Sequence, residues 1–215
     1  MDDRFIGRLK EKLQDTLPGI EAQYKMAHVV RRLYEPPPPT AKRAGVLALF
    51  YPKARKWHIV LIERSASHPA DRHGGQISFP GGKYEESDGT LAVTALREAQ
   101  EEVNIDPRKV ELAGPLTELY IPVSNFLVSP YVGFTASTPE FRPQAHEVRS
   151  ILEVPFDMLQ RSETRQETDL RISEGITLRD VPYFNVFGKV VWGATAMILS
   201  ELLEAAGGSE SSLLL

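Results

Sequence analysis

Three glutamates, Glu98, Glu101 and Glu102, have the spacing of one face of a helix. At helical geometry, positions i, i+3 and i+4 project within about 100° of arc. Like charges this close repel and raise one another's pKa unless a cation neutralises them. The spacing therefore favours a site for a divalent metal ion, which binds hard oxygen ligands. The alternative is a solvated helix face, on which Arg97 and Glu101 form an ordinary i, i+4 ion pair.

The neighbouring residues predict the elements that must position these carboxylates. Small and apolar side chains recur at the period of a helix that packs on a sheet, at Ala92, Ala95, Leu96, Ala99 and Val103. Upstream, residues 76–79 predict a short strand, and Pro80-Gly81-Gly82 predicts a turn at which the backbone can approach a ligand.

The segment from Phe79 to Ile105 resembles the Nudix box, which is a glycine, a spaced acidic residue and then Arg-Glu-apolar-x-Glu-Glu-x-Gly-apolar. The positions that match are Arg97, Glu98, Ala99, Glu101, Glu102 and Ile105. Asn104 stands where the family has glycine, and asparagine also adopts the left-handed conformation that ends a helix. The loop is one residue longer than the general pattern, so that Asp88 lies nearest the spaced acidic position.

The resemblance implies an α+β domain with the Nudix fold, a mixed β-sheet sandwiched between helices (α/β/α). It also implies a Mg²⁺ (or Mn²⁺) site with Glu98 and Glu102 as ligands and the Gly82 carbonyl as a further ligand. Glu101 would be another ligand, or a base acting through a bound water. Arg97 would hold a glutamate in its rotamer.

Family members often take the general base from a loop beyond the box. Glu147, which precedes a predicted strand, is the leading candidate, with Glu153 and Glu118 as alternatives. A single glutamate at such a position can also be merely solvated, so the base stays open among these residues.

Residues 61–82 resemble an upstream signature of the coenzyme A pyrophosphatases within the Nudix family. The matching positions are Leu61, Ile62, Arg64, Ser65, Gly75, Phe79, Pro80, Gly81 and Gly82. Residues 192–196 (WGATA) resemble the C-terminal segment of the same branch. The second arginine of the signature falls on Asp71, and Arg72 lies one place later.

This second resemblance implies hydrolysis of the pyrophosphate bond of coenzyme A or its thioesters. Arg64, Arg72 and Lys83 are the expected phosphate contacts, since arginine can bind a phosphate through two hydrogen bonds. One alternative substrate is another nucleoside diphosphate derivative, such as ADP-ribose or NADH. The other alternative is a module that binds a nucleotide without turnover.

Composition narrows the class of protein. The chain has 215 residues, a formal charge of −4 and no cysteine, which indicates a globular protein without disulfides and without the basic stripe of a nucleic-acid binder. No apolar run reaches membrane-spanning length, and the acidic start is unlike a signal peptide. We expect a cytoplasmic protein that binds a small-molecule nucleotide and neither nucleic acid nor membrane.

The chain divides into an N-terminal helical arm with a proline-rich linker (1–41), a Nudix hydrolase domain (42–206) and a flexible tail (207–215). The arm carries an apolar stripe at helical spacing, formed by Phe5, Ile6, Leu9, Leu13 and Leu17. This stripe predicts docking on the domain or on a second subunit, so a homodimer is possible. Strands are predicted at 44–51, 57–63, 76–79, 110–121, 127–135, 148–154, 168–173 and 182–187, with helices in the box, after Pro155 and at 193–206.

Overall fold

The computed structural model describes residues 4–29, 36–66, 74–173 and 175–207. The helices in these residues are α1 (Phe5–Gln14), α2 (Gly19–Tyr24), α3 (Leu91–Val103), α4 (Phe156–Leu159) and α5 (Gly193–Ala205). The strands are β1 (Lys42–Lys53), β2 (Lys56–Arg64), β3 (Ile77–Ser78), β4 (Gly81–Lys83), β5 (Glu111–Pro115), β6 (Leu119–Ile121), β7 (Phe126–Phe134), β8 (Val148–Pro155), β9 (Arg165–Ser173), β10 (Ile176–Val186) and β11 (Lys189–Val191).

The larger sheet is mixed, as the sequence predicts. Its order is β3-β2-β1-β7-β5, with β4 paired to β1, β6 to β7 and β8 to β2. Strand β1 runs parallel to β7 and antiparallel to β2 and β4. Strands β9, β10 and β11 form a second, antiparallel sheet.

Helices cover both faces of the larger sheet because side chains alternate along β1. Leu47 and Leu49 pack with Ala95 and Ala99 of α3 on one face. Ala48 and Phe50 join the apolar cluster that includes α1 and α5 on the other face. The predicted α+β architecture, a mixed sheet between helices, is confirmed.

Helix α3 lies close against β1 at Gly45. A Cβ atom on Gly45 would lie 3.0 Å from the backbone nitrogen of Ala95 and would overlap the carbonyl oxygen of Leu91. The helix starts at an N-cap threonine, Thr90, whose hydroxyl accepts a hydrogen bond from Val93 N–H at 3.2 Å. Because Gly45 has no side chain, the backbone of the predicted box helix can pack directly against the sheet.

The helix ends at Asn104, which has a φ of 60°. This is the left-handed conformation that the sequence predicts at the position where the family has glycine.

The β1–β2 hairpin has a tighter turn than the sequence predicts. Residues 52–56 were expected to form the connection, but Pro52 pairs with Trp57 and the turn is only Ala54-Arg55. Both turn residues have positive φ, 49° and 61°, as the twist of a two-residue hairpin requires.

The N-terminal arm packs against the rest of the chain. Phe5 lies 5.5 Å from Phe50 and 5.5 Å from Phe156, measured between ring centroids. Buried residues of α1 join the main apolar cluster, namely Ile6, Leu9 and Leu13. The apolar stripe of α1 is therefore occupied within this chain.

Two expectations for the arm need correction. Helix α1 ends at Gln14, before Leu17, which is the last residue of the predicted stripe, and a second helix, α2, begins at Gly19 and was not predicted. Proline as the N-cap of α2 explains the difference, because the ring fixes a φ that suits the start of a helix.

The predicted strand at 110–121 is two strands, β5 and β6, with a break at residues 116–118. At the break, the backbone N–H of Thr117 donates to the buried carboxylate of Glu201 in α5 at 3.1 Å. Gln23 of α2 donates to the same carboxylate at 2.8 Å. Glu201 therefore joins the arm and the broken strand to the C-terminal helix.

Strand β10 extends over 176–186, beyond the predicted 182–187 at its start, and β4 and β11 were not predicted as strands. No helix in the described part of the chain has the length and apolarity needed to cross a membrane.

Candidate active site

Glu102 is the most buried of the three box glutamates, with 1% of its surface exposed. Its Oε2 accepts a hydrogen bond from the backbone N–H of Gly81 at 2.8 Å, and its Oε1 lies 3.5 Å from Nη1 of Arg64. Burial raises the pKa of Glu102 to about 7, against the lowering effect of Gly81 and Arg64. The negative charges of Glu98 and Glu147 raise this pKa further.

Glu98 lies over the glycine turn. A Cβ atom on Gly82 would overlap the Glu98 carboxylate, so the absent side chain makes room for that group. Burial raises the pKa of Glu98, and Arg97, whose Nη1 is 3.0 Å from Glu98 Oε1, opposes the rise. Glu101 is more exposed, and its Oε2 accepts a hydrogen bond from Arg97 Nη1 at 3.1 Å.

Arg97 is held by an aspartate. Its Nε donates to Asp88 Oδ1 at 2.7 Å, and its Nη2 donates to Asp88 Oδ2 and to the Lys83 carbonyl, both at 3.1 Å. The Thr94 hydroxyl and the Glu85 N–H also donate to Asp88 Oδ2, at 2.8 and 3.0 Å. These bonds, above all those from Arg97, hold the pKa of Asp88 far below its usual range.

The Asp88→Asn variant is expected to lose about 2–3 kcal/mol of stability at pH 7, because the buried carboxylate gives way to a neutral group beside Arg97. The folded-state pKa of Asp88 is lowered, so its stabilising contribution is present above the unfolded pKa of about 4 and is lost as pH falls through the folded value. Urea unfolding of both proteins at pH 7 and pH 3 measures this. An equal difference at both pH values would contradict the assignment.

Glu147 lies on the same side of the molecule as the box glutamates. Its negative charge contributes to the raised pKa of both Glu98 and Glu102. Its carbonyl accepts a hydrogen bond from the backbone N–H of Ser65 at 2.8 Å. The structure thus brings together the box helix, the Arg64-Ser65 pair and the leading candidate for the base.

The structure describes two of the three predicted phosphate-binding residues. Arg64 has 38% of its side chain exposed while it faces Glu102, so its remaining donors are accessible. Lys83 is exposed at the end of β4. Arg72 lies outside the described residues, as does Asp71.

The two alternative bases have other partners. Glu153 accepts a hydrogen bond from the Tyr51 hydroxyl at 3.1 Å and pairs with Lys53 at 2.8 Å. Tyr51 lies six residues along β1 from Gly45, which pairs with Gly82, and six residues of a strand span roughly 20 Å. Glu153 therefore lies far from the glycine turn. Glu118 accepts a hydrogen bond from Ser129 of β7, on the side of β1 opposite to β4.

The carboxylate oxygens fit the chemistry of a hard divalent cation. Within the described ranges, no three Asp, Glu or His side chains are already gathered into a metal site. Arg97 and Arg64 instead hold Glu98 and Glu102 separately. Two carboxylates whose pKa values are raised by burial are a pair that a bound cation would neutralise, so the residues present fit a Mg²⁺ or Mn²⁺ ion.

We expect metal binding to compete with a proton on Glu102. Because its pKa is about 7 in the metal-free protein, Mn²⁺ affinity at pH 6 should be about tenfold weaker than at pH 8. Titration of Mn²⁺ followed by electron paramagnetic resonance measures the two dissociation constants. Equal affinities at the two pH values would contradict a role for Glu102 as ligand.

Sequence reasoning missed two residues near the site. Thr94 is fully buried and donates to Asp88; its helical spacing before Glu98 and Glu101, on the carboxylate face of the predicted helix, is the signal that could have found it. Gln144 lies in the loop before Glu147; its backbone N–H donates to the carbonyl of Glu102, which is distant in sequence, so no local pattern marks its place near the site.

The family model of the NUDIX domain matches residues 41–177. The uncharacterized Nudix hydrolase NudL of Pectobacterium atrosepticum is 32% identical over 92% of this chain and 91% of its own length. The chain belongs to the Nudix family. This Nudix hydrolase is also 29% identical to Nudix hydrolase 22, chloroplastic, of Arabidopsis thaliana, over 88% of this chain and 61% of that protein.

Among solved structures, the fold is similar to RenU, a Nudix hydrolase from M. smegmatis, with a TM-score of 0.54. The identity is 16%, and the match covers 81% of this chain and 89% of RenU. At this identity the likeness concerns the fold.

Proposed function

We propose that this Nudix hydrolase cleaves the pyrophosphate bond of coenzyme A or its thioesters. The products would be 4′-phosphopantetheine, or its acyl form, and adenosine 3′,5′-bisphosphate. The observation that carries the proposal is the contact between Arg64 and Glu102, at 3.5 Å. Through this contact, a residue of the upstream sequence signature lies beside a carboxylate of the box helix.

In this proposal Glu98 and Glu102 hold Mg²⁺ or Mn²⁺, with Glu101 and the Gly82 carbonyl as further ligands. A bound divalent ion would neutralise charge on the pyrophosphate and acidify the attacking water. The buried position of Glu102 and the placement of Glu98 over Gly82 support the assignment.

Glu147 would accept the proton of the attacking water, as general base. The water oxygen forms a new P–O bond, the bridging P–O bond breaks, and the bridging oxygen leaves on the other phosphate. The exposure of Glu147 and its charge coupling to both Glu98 and Glu102 support this role.

Arg97 would be a positioning residue. It contacts Glu98 and Glu101 while Asp88 fixes its guanidinium from the other side. Arg64, Lys83 and Arg72 would bind substrate phosphates, because the planar guanidinium suits two hydrogen bonds to one phosphate.

Comparison of coenzyme A with 3′-dephospho-coenzyme A tests the substrate class. We expect a kcat/KM at least tenfold higher for coenzyme A, about the effect of one charge-assisted contact to the 3′-phosphate. Equal values would contradict recognition of that phosphate. Higher values for ADP-ribose or NADH would instead favour the same chemistry on another nucleoside diphosphate derivative.

A further inference from the structure

The loop of residues 140–147, called here the cap loop, closes the C-terminal end of α3. The last carbonyls of a helix have no partner within the helix. Here the N–H of Arg142 donates to the Val103 carbonyl at 3.2 Å, and the N–H of Gln144 donates to the Glu102 carbonyl at 3.0 Å. The cap loop is therefore bonded to the backbone of the buried glutamate itself.

The side chain of Gln144 then organises the end of the loop. Its Oε1 accepts hydrogen bonds from the backbone N–H groups of His146 and Glu147, at 2.7 and 2.9 Å. Its carbonyl oxygen accepts from the N–H groups of Glu147 and Val148, at 3.1 and 2.8 Å. One residue thus connects the carbonyl of Glu102 with the backbone of Glu147.

These hydrogen bonds determine the position of Glu147, because the residues around it in the cap loop are exposed. Ala145, His146 and Glu147 are all exposed, whereas Gln144 is half-buried. Exposed loop residues with little packing depend on hydrogen bonds for a defined position. The Ser65 N–H fixes the Glu147 carbonyl from one side, and Gln144 fixes its N–H from the other.

We propose that Gln144 is a positioning residue that holds Glu147 in place opposite Glu98 and Glu102. The inference rests on the proposed function, in which Glu147 is the general base. A base displaced by about 1 Å can lose as much as 100-fold in rate. For loss of the side-chain acceptor alone, with the backbone bonds kept, the expected fall in kcat is roughly tenfold.

The test replaces the acceptor while keeping the length of the side chain. Gln144→Met should lower kcat for coenzyme A roughly tenfold and change KM less than about twofold, because the defect lies in the chemical step. Gln144→Glu keeps an oxygen acceptor and should recover most of the loss. Gln100→Met, on the exposed surface of α3, is the matched control and should leave kcat unchanged.

A double-mutant cycle separates positioning from a general structural effect. In a Glu147→Gln background, Gln144→Met should cost little further activity, because the group that it positions is already absent. A full additional tenfold loss in that background would overturn the proposal, as would wild-type kcat in Gln144→Met alone.

Amide hydrogen exchange of the metal-free protein provides a readout that does not depend on turnover. Gln144→Met should speed exchange at the amides of His146 and Glu147, leave β1 unchanged, and be reversed by Gln144→Glu. Unchanged exchange at both amides would overturn the role of Gln144. If exchange responds as expected but Glu147→Gln has full activity, then the assignment of the base fails and the anchoring of the loop stands.

Discussion

The Glu102→Gln variant is expected to lower kcat/KM for coenzyme A by about 10³-fold, since it removes a charged ligand from the proposed metal site. Glutamine has the same shape and its oxygen can still accept the Gly81 N–H, which lies 2.8 Å from Oε2 in the wild type. The loss would therefore come from charge rather than from misfolding. Steady-state kinetics with Mg²⁺ and with Mn²⁺ measure it.

The same variant should be more stable than the wild type in the absence of metal. The pKa of Glu102 is raised from 4.5 to about 7, so between these values the folded protein binds the proton more tightly than the unfolded chain. Stability therefore falls as pH rises through this range, and above pH 7 the ionised carboxylate costs on the order of 3 kcal/mol. Glutamine avoids this cost.

Urea unfolding at pH 8 in EDTA measures the gain. Glu167→Gln, at an exposed position of β9, is the matched control and should change neither activity nor stability. Undiminished turnover in Glu102→Gln would refute the assigned metal site, whatever the stability shows.

The Gly82→Ala variant is expected to lower kcat by about 10²-fold while costing little stability. The added methyl group would overlap the carboxylate of Glu98, which is the movable end of a side chain and can swing away. Swinging away would take Glu98 out of the arrangement that the proposed reaction needs, and small displacements of this kind have large kinetic effects. Kinetics and thermal unfolding of the same preparation measure the two quantities.

Gly45→Ala gives the opposite pattern and so serves as the comparison. Its added methyl group meets the backbone of α3, at Leu91 and Ala95, which cannot move without separating the helix from the sheet. We expect a loss of about 3 kcal/mol or more in stability. A Gly82→Ala protein as unstable as Gly45→Ala, or one with full activity, would contradict the placement of Glu98.

The parts of the site that follow from local pattern were predictable from the sequence. The helix that carries Glu98, Glu101 and Glu102 has an apolar period and an asparagine at its end, so its carboxylate face and its C-terminal end could be inferred. Asp88 was also identified as the residue nearest the spaced acidic position, although the loop is one residue longer than the general pattern.

The parts that depend on distant partners were not predictable. The break at Thr117 is stabilised by Glu201, 84 positions later, and the position of Gln144 depends on the carbonyl of Glu102. No periodicity reports such contacts. Helix α2 was missed for a different reason, because Pro18-Gly19 is as compatible with the start of a helix as with a stop.

The most direct measurement of the central claim is mass identification of the products from coenzyme A, incubated with the wild-type protein and Mg²⁺ or Mn²⁺ in water enriched in ¹⁸O. We predict 4′-phosphopantetheine and adenosine 3′,5′-bisphosphate, with one ¹⁸O atom in one of the two phosphates and about 10³-fold slower product formation by Glu102→Gln. Binding of coenzyme A and of the other nucleotides without release of any product would contradict a pyrophosphatase and would favour a nucleotide-binding module.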